Sequence, residues 1–314
     1  MSYANHSQTN INIGLQYHGL MGIVLFSILT TVPCCVFLFI NGTLLFTLRS
    51  KSVFHVTPRY ILLYNLLFAD TVLMAQSQLL YLLAACRVKL MYPVCGVLTM
   101  LASLTTVISP LTLMVIYVAV CYPLRHATII TIRNTGVAII VVWAFSSLNV
   151  LTRVILLLDF PFEELESLQM DDFCSDIAML LDPVSDHYEK AYTYFLFVLA
   201  GMTVTCSYIG VMVAARSAST DKASAKKARN TLLLHLVQLG LSLLSTMHNS
   251  LLIAISKTVT RIVIVRVQIV VYVCVILFPR CLSALIYGLR DQTIRPVLMY
   301  QLCSILPKFS ILNV

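Results

Sequence analysis

Charged residues are scarce in this chain. They make up 11% of its 314 residues, whereas hydrophobic residues make up 59% and the mean hydropathy is +0.91. A soluble globular protein usually carries about 25% charged residues. A single core of this length could not hide so much apolar surface from water, so the solvent must be lipid. The composition excludes an ordinary soluble domain and predicts an integral membrane protein.

Several sequence patterns are also absent. The chain has no G-x-S-x-G, H-E-x-x-H or P-loop motif and no paired carboxylates, so we do not expect an enzyme. Its ten cysteines show no metal-ligand spacing, and we expect no metal and no cofactor. The first ten residues contain no Lys or Arg, which argues against a cleavable signal peptide. The net charge of +8 comes from short basic clusters between apolar runs, which favours membrane topology over a nucleic-acid partner.

Seven long apolar stretches are present. A bilayer core of about 30 Å needs roughly 20 apolar residues in a helix, and backbone groups in lipid must pair within that helix. The stretches also lack the alternation of membrane β-strands. We therefore predict an all-α membrane protein, a seven-transmembrane helix bundle. The predicted spans are Leu20–Leu48, Tyr60–Ala85, Val94–Tyr117, Gly136–Leu157, Ala191–Ala215, Leu232–Ile255 and Ile262–Leu289.

The distribution of Lys and Arg predicts the orientation of the bundle. More of them lie in the segments that share a side of the membrane with the C-terminus than in the segments on the other side. The positive-inside rule therefore places the N-terminus outside and the C-terminus in the cytoplasm. The expected organisation is an extracellular tail over residues 1–19, a membrane domain over residues 20–289 and a cytoplasmic tail over residues 290–314. Asn5, in the sequon Asn5-His6-Ser7, is a predicted glycosylation site. The last segment can form a short surface helix, which Pro296 should interrupt.

Acidic residues are concentrated in one loop. Ten of the 13 Asp and Glu residues lie between Asp159 and Glu189, in a loop predicted to be outside. This segment is interpreted either as a solvated acidic lid or as a field that attracts cationic ligands.

A series of motifs follows the predicted helices in order. The motifs are TPRYILL (Thr57–Leu63), Asp70 in LLFAD, Cys95, YVAVCYPLRH (Tyr117–His126), Trp143, SYIGVMV (Ser207–Val213), KARNTLLLHL (Lys227–Leu236) and PRCLSALIYGLRD (Pro279–Asp291). Together they resemble those of fish-type odorant receptors, in the rhodopsin-like G-protein-coupled family. The resemblance covers nearly the whole chain and implies a plasma-membrane receptor, which would bind a small odorant in the outer half of the bundle and signal to a heterotrimeric G protein of the olfactory Gs type.

The resemblance implies a disulfide between Cys95, at the outer end of the third helix, and Cys174 in the acidic loop. The outer side is an oxidising environment, which favours such a bond. Cys86 lies at a similar depth and remains a competing partner.

Two charges within predicted spans suggest a polar core. Asp70 and Arg280 each carry a high cost in the bilayer, about 2.5–3.5 kcal/mol, and should therefore find partners inside the bundle. We expect Arg280 to neutralise Asp70, with Ser109 and Ser283 nearby, in the place where related receptors often hold sodium. The alternative is a structural polar core in which Arg280 reaches toward backbone carbonyls.

The remaining candidate residues follow from position in the helices or from the resemblance, and ordinary packing is an alternative for each. Tyr208, His235 and Tyr287 match an activation network. A ligand pocket is expected among Thr99, Ser103, Thr106, Phe195, Met247 and His248. The G-protein side is expected to include Arg125, Lys226, Lys227 and Arg229, although anionic lipid and topology also explain this basic stretch.

The chain departs from the family pattern in the third helix. An acid-Arg pair normally precedes the Tyr that corresponds to Tyr117, but Val115 and Ile116 stand there. About one helical turn, roughly four residues or about 6 Å, is missing. The seventh helix also has Ala284 in place of a proline. One alternative function is therefore a receptor-like chain with weak or absent G-protein coupling. Another is a membrane transporter, although no internal repeat supports that reading.

Overall fold

The computed structural model is helical. It describes residues 2–121, 131–159, 169–170, 174, 179, 183–217, 222–248, 270–291 and 293–300. Within these ranges there is no β-strand, and Met91 and Gln169 form one isolated bridge. The helices are α1 (Ser2–Ser50), α2 (Ser52–His55), α3 (Pro58–Ala85), α4 (Tyr92–Cys121), α5 (Ile132–Leu158), α6 (Pro183–Ser217), α7 (Lys222–Thr246), a π-helical segment (Tyr272–Leu277) and α8 (Phe278–Arg290). A short helix over 294–300 follows.

Among the described residues, four helical segments are long and apolar enough to cross a membrane. They correspond to the first four predicted spans, and each is at least 24 residues long. The helix that contains the first span begins at Ser2, within the predicted tail, and continues through Pro33 to Ser50. The segments are Ser27–Ser50, Pro58–Ala85, Tyr92–Ala119 and Ile132–Leu158.

Hydroxyl groups on these apolar helices bond to their own helix. Thr43 Oγ1 donates to the Phe39 carbonyl at 2.8 Å, and Thr47 Oγ1 donates to the Thr43 carbonyl at the same distance. Thr105 in α4 does the same toward Leu101 at 3.1 Å. A threonine can therefore lie in an apolar helix without an unsatisfied polar atom.

Helix α4 lies at the centre of the described bundle, where it contacts α3, α5, α6 and α7. Leu63, Leu66 and Ile108 are fully buried in this core. A chain of polar contacts also joins three of the helices. Asn65 Nδ2 donates to Thr112 Oγ1 at 3.0 Å, and Trp143 Nε1 donates to Asn65 Oδ1 at 2.8 Å. These contacts fix the rotation of α3, α4 and α5 relative to one another.

The predicted disulfide between Cys95 and Cys174 is present, with an S–S distance of 2.03 Å. Cys86, the competing partner, is a free, exposed thiol. Nearby, the Met170 N–H donates to the Leu90 carbonyl at 3.0 Å, which holds the same loop against the start of α4. We call this end of the bundle the disulfide end.

The last described helices show how two prolines are accommodated. Pro279 has no backbone N–H, so a regular helix would lose the hydrogen bond from this residue to the preceding turn. The π-helical segment Tyr272–Leu277 lies just before Pro279, so the irregular hydrogen bonding occurs in that turn. Pro296 was expected to interrupt the final segment, but the helix over 294–300 contains it. The expectation was wrong because Pro296 lies in the first helical turn, where its missing N–H has no partner in any case.

The helix over 294–300 is held against the bundle. Ile294 and Leu298 are buried in the main core. Asp291 accepts from the backbone N–H groups of Thr293 and Ile294 at 2.9 and 3.3 Å, and from Tyr60 Oη at 3.2 Å. This carboxylate therefore caps the last helix and joins it to the start of α3.

Candidate functional site

Asp70 of α3 and Arg280 of α8 form a buried ion pair. Arg280 Nη1 lies 3.2 Å from Asp70 Oδ1, and each side chain is 1% exposed. Because the two residues are 210 positions apart, the pair joins distant parts of the chain. Its burial requires further hydrogen bonds to balance the loss of solvation.

Three serine hydroxyls supply those bonds on the side of Arg280. Its Nη1 donates to Ser109 of α4 and, at 2.9 Å, to Ser242 of α7. Its Nη2 donates to Ser245 of α7 at 2.7 Å. The planar guanidinium therefore connects α8 with α3, α4 and α7 at once, as its five N–H donors allow. Arg280 Nε has no hydrogen-bond partner in the described part of the chain.

The carboxylate of Asp70 is also held from α8. Ser283 Oγ donates to Asp70 Oδ2 at 3.2 Å, one helical turn after Arg280. Gln238 Nε2 of α7 in turn donates to Ser283 Oγ. We call the set of these residues the polar core: Asp70, Ser109, Gln238, Ser242, Ser245, Arg280 and Ser283.

The structure thus brings together the four residues that the sequence suggested for this region: Asp70, Ser109, Arg280 and Ser283. The three contributions from α7 were missed. Gln238, Ser242 and Ser245 follow one another at intervals of four and three residues, which places them on one face of an apolar helix. That spacing was the signal that could have identified them.

The positive charge that contacts Asp70 is the guanidinium of Arg280. Among the described residues, no group of three or more His, Cys, Asp or Glu side chains could hold a metal ion. The remaining partners of the carboxylate and the guanidinium are neutral hydroxyl groups. The geometry therefore supplies one cation for one buried anion.

A second polar region lies under the disulfide end. Ser103 of α4 accepts from Arg153 Nη1 of α5 at 3.3 Å, and Arg153 Nη2 lies 3.9 Å from Glu189 Oε1 of α6. Thr99 is buried one turn closer to Cys95, and its hydroxyl bonds to the Cys95 carbonyl at 3.0 Å. Thr106, two turns further along α4, is half-buried. Sequence reasoning missed Arg153 and Glu189.

Three other residues expected near the ligand take different positions. His248, just after α7, is half-buried, and its Nδ1 lies 3.2 Å from the Ser245 carbonyl oxygen, beside the polar core. Met247 is also half-buried. Phe195 departs from the expected placement: it is 48% exposed and contacts Phe145 of α5 with ring centroids 5.8 Å apart. The rotation of α6 turns this ring toward the bundle surface.

The expected activation network is described only in part. Tyr208 is 56% exposed, which places its side chain on the outer surface of α6 rather than inside the bundle. The side chains of His235 and Tyr287 lie outside the described residues, as do those of Lys226, Lys227, Arg229 and Asn5. Arg125 lies outside the described residues altogether.

Helix α4 continues without a break through the region where the acid-Arg pair was expected. Ile116 and Tyr117 are 3% and 2% exposed, so both face the interior. Tyr117 packs against Val204 of α6 and Leu236 of α7. Apolar packing and one buried tyrosine therefore occupy this stretch of the helix.

The described structure is that of a multi-pass membrane protein, with apolar helices long enough to span a membrane, a disulfide-tethered loop and an ion pair buried between helices. The sequence pattern of the 7 transmembrane receptor (rhodopsin family) matches residues 40–310. The chain is also 32% identical over 270 residues to "Odorant receptor 131-2" of Danio rerio. The aligned region covers 84% of this chain and 82% of that protein. The chain belongs to the rhodopsin family of seven-transmembrane receptors, and it is a receptor rather than an enzyme.

Proposed function

We propose that this chain is an odorant receptor of the plasma membrane, which binds a small odorant at the disulfide end and signals to a heterotrimeric G protein. The observation that carries the proposal is the similarity to Odorant receptor 131-2 of zebrafish, which extends over 84% of the chain. Seven helices cross the membrane in this proposal, with the N-terminus and a glycan on Asn5 outside and the C-terminus in the cytoplasm.

Of the six ligand contacts predicted from the sequence, which include the exposed Phe195, we propose the five that are buried or half-buried: Thr99, Ser103, Thr106, Met247 and His248. Thr99 and Ser103 are buried beneath the disulfide end, and His248 is joined to the polar core through Ser245. A ligand that moves α7 relative to α4 must therefore change the bonds of Arg280. This connection supports a role for the polar core in signalling.

On the opposite side, we propose that the G protein, of the olfactory Gs type, contacts the basic residues Arg125, Lys226, Lys227 and Arg229. His235 and Tyr287 form the proposed network between the core and that surface, and the exposed Tyr208 would have to turn inward to join it. Rearrangement of these residues would alter the inner ends of α6, α7 and α8.

A second candidate function is a receptor that binds ligand but couples weakly or not at all. The observation that favours it is the uncharged stretch of α4, in which Ile116 and Tyr117 are buried. In the family, an arginine at this place reaches toward the G protein. Without it, activation has to proceed through other groups, of which Arg125 is the nearest basic residue in the sequence.

One experiment separates the two candidates. The chain, and a version with Ser-Leu-Glu-Arg inserted between Ile116 and Tyr117, are expressed with an olfactory-type G protein and screened for cyclic-AMP responses to pooled odorants. A matched insertion of Ser-Leu-Gln-Gln controls for helix length, and surface labelling controls for expression. Responses from the natural chain support the first function. A response only from the Glu-Arg insertion supports the second, whereas silence from all three at normal surface levels contradicts the first.

A further inference from the structure

A small cavity beneath the disulfide end contains both members of an ion pair. It lies between α4, α5 and α6 and has a volume of about 30 Å³. Its polar lining includes Thr99, Ser103, Arg153, Tyr188 and Glu189, and Met179 forms part of the wall. Met179 also packs with Cys95 and Cys174, so the cavity lies directly below the disulfide.

The two charges in this cavity are sheltered, and the contact between them is long. The side chains of Arg153 and Glu189 are 19% and 16% exposed, yet their closest atoms are 3.9 Å apart, beyond hydrogen-bond distance. Arg153 donates to Ser103 at 3.3 Å, and its Nε has no hydrogen-bond partner among the described residues. A partly buried guanidinium with a free donor edge can gain further bonds.

The neighbouring groups hold these charges in position. Tyr188, which precedes Glu189 in α6, donates its hydroxyl to Asn149 Oδ1 of α5 at 3.1 Å. Tyr192, one turn later, stacks on Phe145 of α5 with ring centroids 5.9 Å apart. Helices α5 and α6 are thus fixed against each other on both sides of Glu189, and the ion pair does not have to supply that contact. His248 interacts electrostatically with Glu189 from the end of α7.

We propose that this cavity binds a small zwitterion, with its carboxylate on Arg153 and its ammonium group on Glu189; this deepens the ligand-binding role proposed above and rests on it. The fork of N–H groups on Arg153 matches the geometry of a carboxylate, and Ser103 can donate a further bond. An anion without the ammonium group is repelled by Glu189, and an amine without the carboxylate is repelled by Arg153. The zwitterion replaces the 3.9 Å contact between Arg153 and Glu189 by two closer contacts, one from its carboxylate to Arg153 and one from its ammonium group to Glu189.

The small cavity favours a small zwitterion, such as a free amino acid, over a larger one. A volume of about 30 Å³ is the share of one water molecule in the liquid, so the ligand must displace part of the wall. Met100 and Met179 line that wall, and the unbranched methionine side chain adapts readily to a new shape.

The test is a direct binding measurement that does not depend on G-protein coupling. The purified full chain in lipid nanodiscs is heated with each of the twenty standard L-amino acids. For any that raises the unfolding midpoint, the matched amine without the carboxylate and the matched acid without the ammonium group are also measured. We expect at least one amino acid to raise the midpoint by about 2–4 °C at tenfold excess over its Kd. Neither matched compound should do so.

Variants connect this shift to the cavity. Arg153→Gln and Glu189→Gln should each abolish it, and Arg153→Lys, which keeps the ion pair but lacks the fork, should weaken binding by about tenfold. Asp186→Asn is the matched control, because it removes the exposed ion pair between Asp186 and Lys190 on the same helix and should leave the shift intact. The lysine variant keeps the test decisive if a neutral variant does not fold.

Three results overturn the proposal: no amino acid produces a shift, the matched amine or acid produces an equal one, or Arg153→Lys binds as tightly as the natural chain. Cyclic-AMP responses to neutral odorants, without any amino-acid binding, would reject the zwitterion while leaving the odorant-receptor function in place. Amino-acid binding without any cyclic-AMP response would support this site and reject the signalling function.

Discussion

Arg280 and Asp70 form a buried ion pair in which the guanidinium contacts four side chains on three other helices. Its nitrogens lie within hydrogen-bond distance of Asp70 in α3, Ser109 in α4, and Ser242 and Ser245 in α7. Within the described bundle, Arg280 alone therefore bonds α8 to three neighbouring helices, and Ser283 of α8 adds bonds to Asp70 and Gln238. The pair is costly to break from one side only, because either charge left alone would remain buried.

A double-mutant cycle measures this dependence. Arg280→Met and Asp70→Leu, each alone, should destabilise the chain by about 3–5 kcal/mol, since each leaves one uncompensated charge. The double variant should lose much less than the sum of the two. The measurement is the thermal unfolding midpoint of purified protein, with surface expression as a second readout. Additive losses would show that the two charges do not depend on each other.

The α7 serines provide a finer test of the same core. Ser242→Ala and Ser245→Ala should each cost about 1.5–3 kcal/mol, because each removes a hydrogen bond from a buried charged group. Thr246→Ala is a control on the next residue, whose hydroxyl bonds only to the Leu243 carbonyl at 2.7 Å among the described contacts. It should change stability by less than about 1 kcal/mol. Equal losses in all three variants would mean that helix packing, and not Arg280, sets the cost.

The ion pair could be predicted from sequence, whereas much of the outer site could not. Asp70 and Arg280 stand out because few charges occur in apolar spans, and each must find a partner in lipid. Arg153 and Glu189 lie near the ends of predicted spans, where a long charged side chain normally reaches water. Nothing in the sequence shows whether Arg153 and Glu189 reach water separately or line the same cavity.

Helix rotation explains the other differences. Phe195 was expected to line the ligand pocket and Tyr208 to join the activation network, and their side chains are 48% and 56% exposed. In a soluble helix the apolar face marks the interior, but a helix in lipid is apolar on both faces. The direction of a single side chain on α6 is therefore decided by packing against α5, as in the Phe145–Phe195 contact, and cannot be obtained from hydropathy.

The disulfide has a matched control in the exposed thiol of Cys86. Cys95→Ser and Cys174→Ser should each reduce surface expression strongly, because the bond closes a loop with a sequence separation of 79 residues and is worth about 2–5 kcal/mol. The double variant should be no worse than either single one. Cys86→Ser should be expressed at the natural level, and a loss in that variant comparable to the others would contradict the assigned pairing.

The central claim is that Arg280 supplies the positive charge beside Asp70, so that no sodium ion is needed there. The direct measurement is the unfolding midpoint of the purified chain as sodium replaces choline at a constant ionic strength of about 0.15 M. The natural chain should show no change beyond about 1 °C, and Arg280→Met, which leaves Asp70 without a cation, should become more stable as sodium rises. A sodium-dependent rise of several degrees in the natural chain would contradict the claim.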